Sequence, residues 1–246
     1  MSKITKNSLI YKYMYEPNIL YEDDLLLVVD KPSGMIVYPD GKHDYVALSH
    51  WLEAKLGGPV NEKFFFVHRI DRETSGVLVI AKDEATFEFL KGQFKERETR
   101  KTYRAFVHGT FKEERGIIDK AIGSSRGGSG PRSAKLSYGV QRDAVTMYKV
   151  LAERTYEADG PEPVSYLEIF PKTGRTHQIR VHMASVGRPV LADKLYGSGR
   201  PPLLGFNRLA LHALTLSFKH PNGQDMSFTA PLPPDFVSAE GELRGN

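Results

Sequence analysis

The sequence predicts an α+β fold built on a mostly antiparallel sheet, and three observations carry that prediction. Short apolar or alternating runs that read as strands recur along the chain from Leu25 onward. Only a few stretches keep the period of an amphipathic helix. The composition, 40% hydrophobic and 26% charged over 246 residues, is that of a soluble globular chain long enough to bury a full core.

Taken in order, residues 1–18 show no clear period; the alternation Tyr11-Lys-Tyr-Met-Tyr15 is at most an edge strand. They are read as an N-terminal extension to one domain spanning 19–246. Leu25–Val29 is a buried strand stopped by the turn Asp30-Lys-Pro-Ser-Gly34. Tyr45–Leu56 carries Val46, Leu48, Trp51, Leu52 and Leu56 on a helical face that ends at Gly57-Gly58. Phe64-Phe-Phe-Val67 reads as core, and Gly76–Ala81, apolar and rich in β-branched residues, as a buried strand. Ala85–Arg97 is expected to be a helix with Phe87, Leu90 and Phe94 on one face. In Thr99–Thr110, Tyr103, Ala105 and Val107 alternate as in a half-buried strand.

The second half begins with Ile122–Lys135, rich in Gly and Ser and holding Arg126, Arg132 and Lys135 without an acid. It reads as a mobile loop, whether a plain connector or one that closes over phosphates. A dinucleotide site does not fit, because no Val/Ile strand leads in and no amphipathic helix leads out. Strands are expected at Ala144–Leu151 and Val164–Phe170, with Pro161 and Pro163 as loop residues between them. Ile179, Met183 and Val186 mark a helix preceded by Gly174 and closed by Gly187, with Arg175 and His177 at its positive end, where anions bind. Arg208–Phe218 is a long strand, and Ala230–Phe236 an irregular end.

Composition also excludes chemistry. With no cysteine, disulfides and thiolate metal sites are ruled out. His177 and His182 are five apart, off the i, i+4 spacing of a zinc helix, so no metal is expected, and with no recognisable cofactor motif no cofactor is expected either. No apolar run is long enough to span a bilayer, and the N-terminus lacks the apolar core of a signal peptide, so no membrane is expected and cytoplasm is the default. The net charge is +4 and the pI about 9.0. Cations cluster in Lys95–Arg104, where Lys95, Arg97, Arg100, Lys101 and Arg104 outnumber Glu96 and Glu98. Such a run, taken alone, reads first as a solvated basic face and second as a track for phosphates.

The densest chemistry is in Val67–Lys82. His68, Arg69, Asp71, Arg72 and Glu73 stand just before the buried strand, a place where a carboxylate can be held among cations. The stretch His-Arg-Ile-Asp-Arg-Glu-Thr-Ser-Gly resembles the active-site motif of the RluA-type pseudouridine synthases. Asp30-Lys-Pro-Ser-Gly34 is similar to an earlier motif of that family, although Tyr38-Pro39 stands where the family usually has His-Pro. Lys101-Thr-Tyr-Arg-Ala-Phe-Val and Gly174-Arg-Thr-His-Gln-Ile-Arg-Val-His continue the resemblance, which covers roughly Ile19 to Phe236.

The resemblance implies a pseudouridine synthase fold, a central antiparallel sheet with a catalytic cleft flanked by helices and loops. It implies isomerisation of uridine in tRNA or rRNA. Asp71 would be the catalytic carboxylate, Tyr103 the tyrosine against the target base, and Arg180 the partner of Asp71. His68, Arg69, Arg72, Lys101, Arg126, Arg132, Arg175 and His177 are the expected RNA contacts. Many relatives also carry an S4-type RNA-binding domain, which eighteen leading residues are too few to encode; a monomer with no obligatory protein partner is expected. Two other classes compete: an RNA-binding module without catalysis, against which intact Asp71, Tyr103 and Arg180 argue, and an N-glycosidic hydrolase, which would release free base.

Overall fold

The structure, a computed structural model, describes residues 16–39, 47–57, 62–124, 132–134, 140–157, 161–197 and 199–245. In chain order its elements are β1 (Asn18–Glu22), β2 (Leu26–Lys31), α1 (Leu48–Leu56), β3 (Phe65–Phe66), β4 (Ser75–Ala81), α2 (Glu84–Glu96), β5 (Arg100–His108) and β6 (Arg115–Asp119). There follow β7 (Ile122–Ser124), β8 (Arg132–Ser133), β9 (Gln141–Arg142), β10 (Val145–Glu157), β11 (Pro161–Pro171), α3 (Gln178–Ser185), β12 (Leu211–Lys219), β13 (Asp225–Thr229) and α4 (Pro234–Arg244). The chain divides into two compact units, Met1–Thr99 with Thr215–Pro231, and Arg100–Leu214 with Leu232–Asn246.

In the first unit β1, β2 and β4 form an antiparallel ladder, with Val28 opposite Val79, and β3 pairs with the end of β4. Leu26–Val29 and Leu78–Ala81 are fully buried, as expected for strands whose apolar residues run without alternation. Thr215–Lys219 of β12 and β13 make a second antiparallel pair. The helix α1 ends on Gly57 in the left-handed region (φ 69°), and its side chains Leu48 and Leu52 are fully buried. Asp83 caps α2, accepting from the amide (2.7 Å) and hydroxyl (2.8 Å) of Thr86.

The buried face of α2 is turned from the expected one. Thr86, Leu90 and Gln93 are buried, while Phe87 and Phe94 are only half-buried at its sides. The reason is polar: the Gln93 amide takes both backbone groups of Lys219, at 2.7 and 2.8 Å, and so is drawn into the interior.

In the second unit the ladder order is β5-β11-β10-β6, antiparallel throughout. Its core joins Ala105, Val107, Leu167 and Ile169 with Ile179 and Met183 of α3. Phe106 stacks on Tyr166 (4.4 Å) and meets Phe206 and Phe236. A small sheet, β8-β7-β9, takes up parts of the segment expected to be a loop; Arg126 and Lys135 of that segment lie outside the described residues.

Two further expectations are corrected here. Pro161 and Pro163 are not loop residues but open β11, opposite Glu157 and Thr155. The Pro163 carbonyl accepts from Gly109 N (2.6 Å), so its missing N–H would have pointed the same way, off the β10 ladder. The Ser165 hydroxyl reaches the Gly109 oxygen instead (2.7 Å). The C-terminal stretch is irregular only over Ala230–Pro233: α4 starts at Pro234, with a proline at its first position, and buries Phe236, Ala239 and Leu243 on one face.

Candidate active site

Asp71 sits in a tight turn, its carbonyl accepting from Thr74 N at 3.1 Å, immediately before the buried strand β4. The turn is gripped from the segment after β2. Lys31 is fully buried, and its ammonium donates to the carbonyls of Pro32 (2.8 Å), Met35 (2.8 Å) and Arg72 (3.2 Å). Gly34 N adds a bond to the Arg72 carbonyl (2.8 Å), and the Ser33 hydroxyl one to the Glu73 carbonyl (2.7 Å). The Lys-Pro-Ser-Gly turn therefore fixes the backbone on the C-terminal side of Asp71. A buried ammonium is tolerated only when its protons are taken up, and backbone carbonyls do that here.

The neighbours of Asp71 have distinct surroundings. Arg69 is exposed. Arg72 is half-buried and pairs with Glu73 at 2.7 Å. The His68 ring stacks on Phe94 (4.6 Å), and its Nε2 accepts the amide proton of Val79 at 3.2 Å, so that nitrogen is unprotonated. His68 thus also supports β4.

In the second unit Tyr103 lies on β5 opposite Ile169 and packs against the core. Arg104 is spent on a cross-strand pair with Glu168 (2.7 Å). Lys101, two residues before Tyr103, has no carboxylate within ion-pair distance among the described residues. Burial pushes its ammonium below the ordinary lysine range. A side chain on Gly174 would come 3.9 Å from its Nζ, so this glycine leaves the space beside the ammonium open.

The Gly174–His182 stretch is shaped by a buried network centred on Gln178. The Gln178 side-chain oxygen accepts from the Thr173 hydroxyl (2.6 Å) and Arg175 N (3.0 Å), while its nitrogen donates to Val145 O and Thr146 Oγ1, both at 3.0 Å. Thr146 in turn bonds His182 Nδ1 (2.8 Å), and His182 Nε2 meets the Lys120 carbonyl (2.9 Å). A carbonyl only accepts, so Nε2 carries the proton and Nδ1 takes the Thr146 hydroxyl hydrogen. Burial keeps this histidine below its usual range, hence neutral. The helix begins later than expected, at Gln178, because His177 takes a left-handed conformation (φ 56°) and directs the chain into this network. Arg175 donates Nε to the Asp143 carbonyl (3.0 Å).

Arg180 is 3% exposed and makes a bidentate pair with Asp193, Nε and one terminal nitrogen each donating at 2.8 Å. Its guanidinium carbon lies 5.1 Å from the centre of the Tyr196 ring. The Tyr196 hydroxyl accepts from Arg132 N and shares a hydrogen bond with His177 Nδ1, both at 3.0 Å. Lys31, Gln178, Asp193 and Tyr196 were not among the sequence candidates. For the last two the available signal was the polar turn Ala192-Asp-Lys-Leu-Tyr-Gly197. The described residues hold no His/Cys/Asp/Glu cluster able to bind a metal, and no helix among them is long and apolar enough to cross a membrane.

Comparison with known proteins brings these segments under one heading. The profile of a family described as RNA pseudouridylate synthase matches residues 25–185. An uncharacterized RNA pseudouridine synthase of Bacillus subtilis, YhcT, is 37% identical over 223 residues, 89% of this chain and 70% of that protein. The ribosomal large subunit pseudouridine synthase D of Neisseria meningitidis is 36% identical over 246 residues, 92% of this chain and 61% of that protein. The human RNA pseudouridylate synthase domain containing 1 superposes with a TM-score of 0.73 at 32% identity, covering 89% of this chain and 84% of that one.

Proposed function

The chain belongs to the RNA pseudouridylate synthase family, and from that premise we propose that Asp71 is the carboxylate on which its reaction turns. The chain is an isomerase acting on RNA: uridine becomes pseudouridine. The N1–C1′ bond breaks, the base turns, and C5 bonds to C1′. Atoms and electrons balance within the nucleotide, so the step calls for acid, base or nucleophile and no external group. A carboxylate serves at the sugar either as nucleophile or as base. In this reading Tyr103 lies against the target base, and Arg180 supplies the positive charge an ionised carboxylate needs in a partly dry place. The uridine has to leave its stack to be reached. Arg69 and His68 hold the backbone or the vacated stack, and Lys101, Arg72, Arg126, Arg132, Arg175 and His177 meet phosphates.

The observation that supports this reading most is the grip on the Asp71 turn. A merely solvated turn has no use for a fully buried ammonium holding the carbonyl next to its carboxylate residue. For RNA binding, the ammonium of Lys101, partly desolvated and with no carboxylate within ion-pair distance among the described residues, is the best supported phosphate contact.

Residues 19–246 act in this reading as one catalytic domain, monomeric and cytoplasmic, with RNA as the only obligatory partner. The substrate is a compact element, a tRNA arm or a short rRNA hairpin, chosen by local shape. The relative named for the ribosomal large subunit makes rRNA the first substrate to try. Wild-type protein and Asp71→Asn are incubated with isolated hairpins and with ribosomal particles, and the products are resolved by nucleoside analysis. The wild type is expected to form pseudouridine without releasing uracil, and Asp71→Asn to bind RNA but not convert it. Turnover by Asp71→Asn within about tenfold of wild type would remove Asp71 from the reaction. Modification confined to assembled particles would overturn recognition by this domain alone.

A further inference from the structure

Arg180 is held from two directions by one short turn. Asp193 takes its edge: each carboxylate oxygen accepts one guanidinium N–H at 2.8 Å, and one of them also accepts the amides of Leu195 (2.9 Å) and Tyr196 (3.0 Å). Tyr196 takes its face, with the guanidinium carbon 5.1 Å from the ring centre. The turn is itself tightly determined. Gly197 N closes it onto the Asp193 carbonyl (2.8 Å), and a Cβ on Gly197 would collide with that same oxygen. Arg97, His177, Ala192 and Leu204 are the non-glycine residues with positive φ among the described residues, and the middle two bracket this cluster. Backbone held in so sparse a region persists only where its surroundings over-determine it, a condition common at functional sites.

We propose that the Ala192–Gly197 turn is a clamp that aims Arg180, with Asp193 and the ring of Tyr196 as positioning groups that act on the reaction through the guanidinium they hold. The proposal rests on the reading that Arg180 is the cationic partner of the catalytic carboxylate. Asp193 is suited to the task because it stays charged. Burial pushes its carboxyl up, but the Arg180 hydrogen bonds and charge, with the Tyr196 and Leu195 amides, outweigh that and hold it below the usual carboxylate range. A fork bound along one edge by two parallel bonds cannot rotate about its long axis, so its direction is fixed before RNA arrives.

The test is a double-mutant cycle with Asp193→Asn, Arg180→Met and both together, read as the single-turnover rate at saturating RNA hairpin and as RNA affinity. Circular dichroism confirms that each variant is folded at the assay temperature. Asp193→Asn is expected to slow the step about 10- to 100-fold, with RNA affinity changed by less than about threefold. In the Arg180→Met background it should cost less than about twofold more, because the group it aims is already gone. Tyr196→Phe removes only the hydroxyl that Arg132 N and His177 share and is the control; Tyr196→Leu, which also removes the ring face and leaves the ion pair in place, should be severalfold slower than Tyr196→Phe with the same non-additivity, and it decides the matter if Asp193→Asn does not fold. A slow Arg180→Met with a fast Asp193→Asn, or with a Tyr196→Leu no slower than Tyr196→Phe, overturns the clamp alone, as does multiplication of the separate losses. A fast Arg180→Met overturns the reading of Arg180 and the clamp with it.

Discussion

The turn that carries Asp71 and the stretch that leads into α3 solve the same problem by different means. Each is an irregular segment that must be held still beside a regular one. In the first unit a single buried cation, Lys31, gathers three backbone carbonyls, one of them next to Asp71. In the second, neutral side chains, Thr173, Gln178, Thr146 and His182, pass hydrogen bonds along a chain. A hub concentrates the consequence of losing one residue, and a network spreads it. A hub made from a cation is also indifferent to mild acid, whereas a network that includes a neutral histidine is not.

The largest effect that tests this contrast is expected from Lys31→Met. The side chain keeps its length and loses its protons, leaving buried carbonyls short of donors. Stability should fall by roughly 3–4 kcal/mol in urea unfolding, and activity should fall with the Asp71 turn. Lys31→Arg should not restore it, since a planar fork does not fit where a compact ammonium meets carbonyls from several directions. A loss below about 1 kcal/mol would mean the turn is held by something other than this hub.

Next in size is the response to acid. In the second unit His108 is 1% exposed, its Nδ1 lies 3.9 Å from Glu162 Oε2, and burial, helped by the charge of Arg200, brings it down to about 4. The unfolded chain takes up this proton near pH 6.5 and the folded chain only near 4, so the contribution of His108 to stability is fully present above 6.5 and is lost as the pH falls to 4. With a pKa of about 4 against 6.5, the loss is about 3 kcal/mol. His182 is shifted the same way and adds to it. In the first unit the corresponding group is Asp23. Burial raises its carboxyl, but the Leu26 and Leu25 amides, the Tyr21 hydroxyl and His220 more than offset this and hold it below the usual carboxylate range. Its contribution is present above the ordinary aspartate range and is lost only as the pH falls through the lowered value. Hydrogen exchange at pH 5 should therefore show β10 and β11 losing protection before β2 and β4, and His108→Leu should flatten the slope of stability between pH 6.5 and 4. Simultaneous opening of both regions would erase the distinction.

A smaller effect is expected where the network loses one link. Thr146→Val takes away the hydroxyl between Gln178 and His182 and should cost about 1–2 kcal/mol, less than the hub because each neighbour keeps a second bond. Equal losses for Thr146→Val and Lys31→Met would end the comparison. The smallest effect concerns RNA. Lys101→Met should weaken binding a fewfold at about 150 mM salt and make the salt dependence shallower by about one counterion, with no preference among sequences. An unchanged slope would remove Lys101 from the phosphate contacts.

Much of this was legible in the sequence because the residues concerned act locally. The continuous apolar runs Leu25–Val29 and Gly76–Ala81 announce strands buried on both faces, and the charged turn between His68 and Glu73 announces itself by density. The burial of Lys31 was not legible: a lysine after a strand usually faces water, and its acceptor on Arg72 is remote in the sequence. Asp193 and Tyr196 stand 13 and 16 residues beyond Arg180, and nothing in local spacing ties a carboxylate in a loop to an arginine in a helix. The helix Pro234–Arg244 was hidden because consecutive prolines signal a break, although a proline at the first helical position begins a helix as readily as it stops one.

The prolines that open β11 have a bearing on how the protein behaves in concentrated solution. An unpaired strand margin offers a row of amide hydrogens and carbonyls on which another molecule's strand can grow. Pro161 and Pro163 would direct their backbone groups to the side opposite β10, where β5 pairs only from Val164 onward. Having no amide hydrogen, they leave that margin unable to donate where it outruns its neighbour. The two residues withhold donors from that margin, although Pro163 still lends its carbonyl to Gly109 N, and replacing both with valine is expected to favour edge-to-edge sheet growth and raise light scattering.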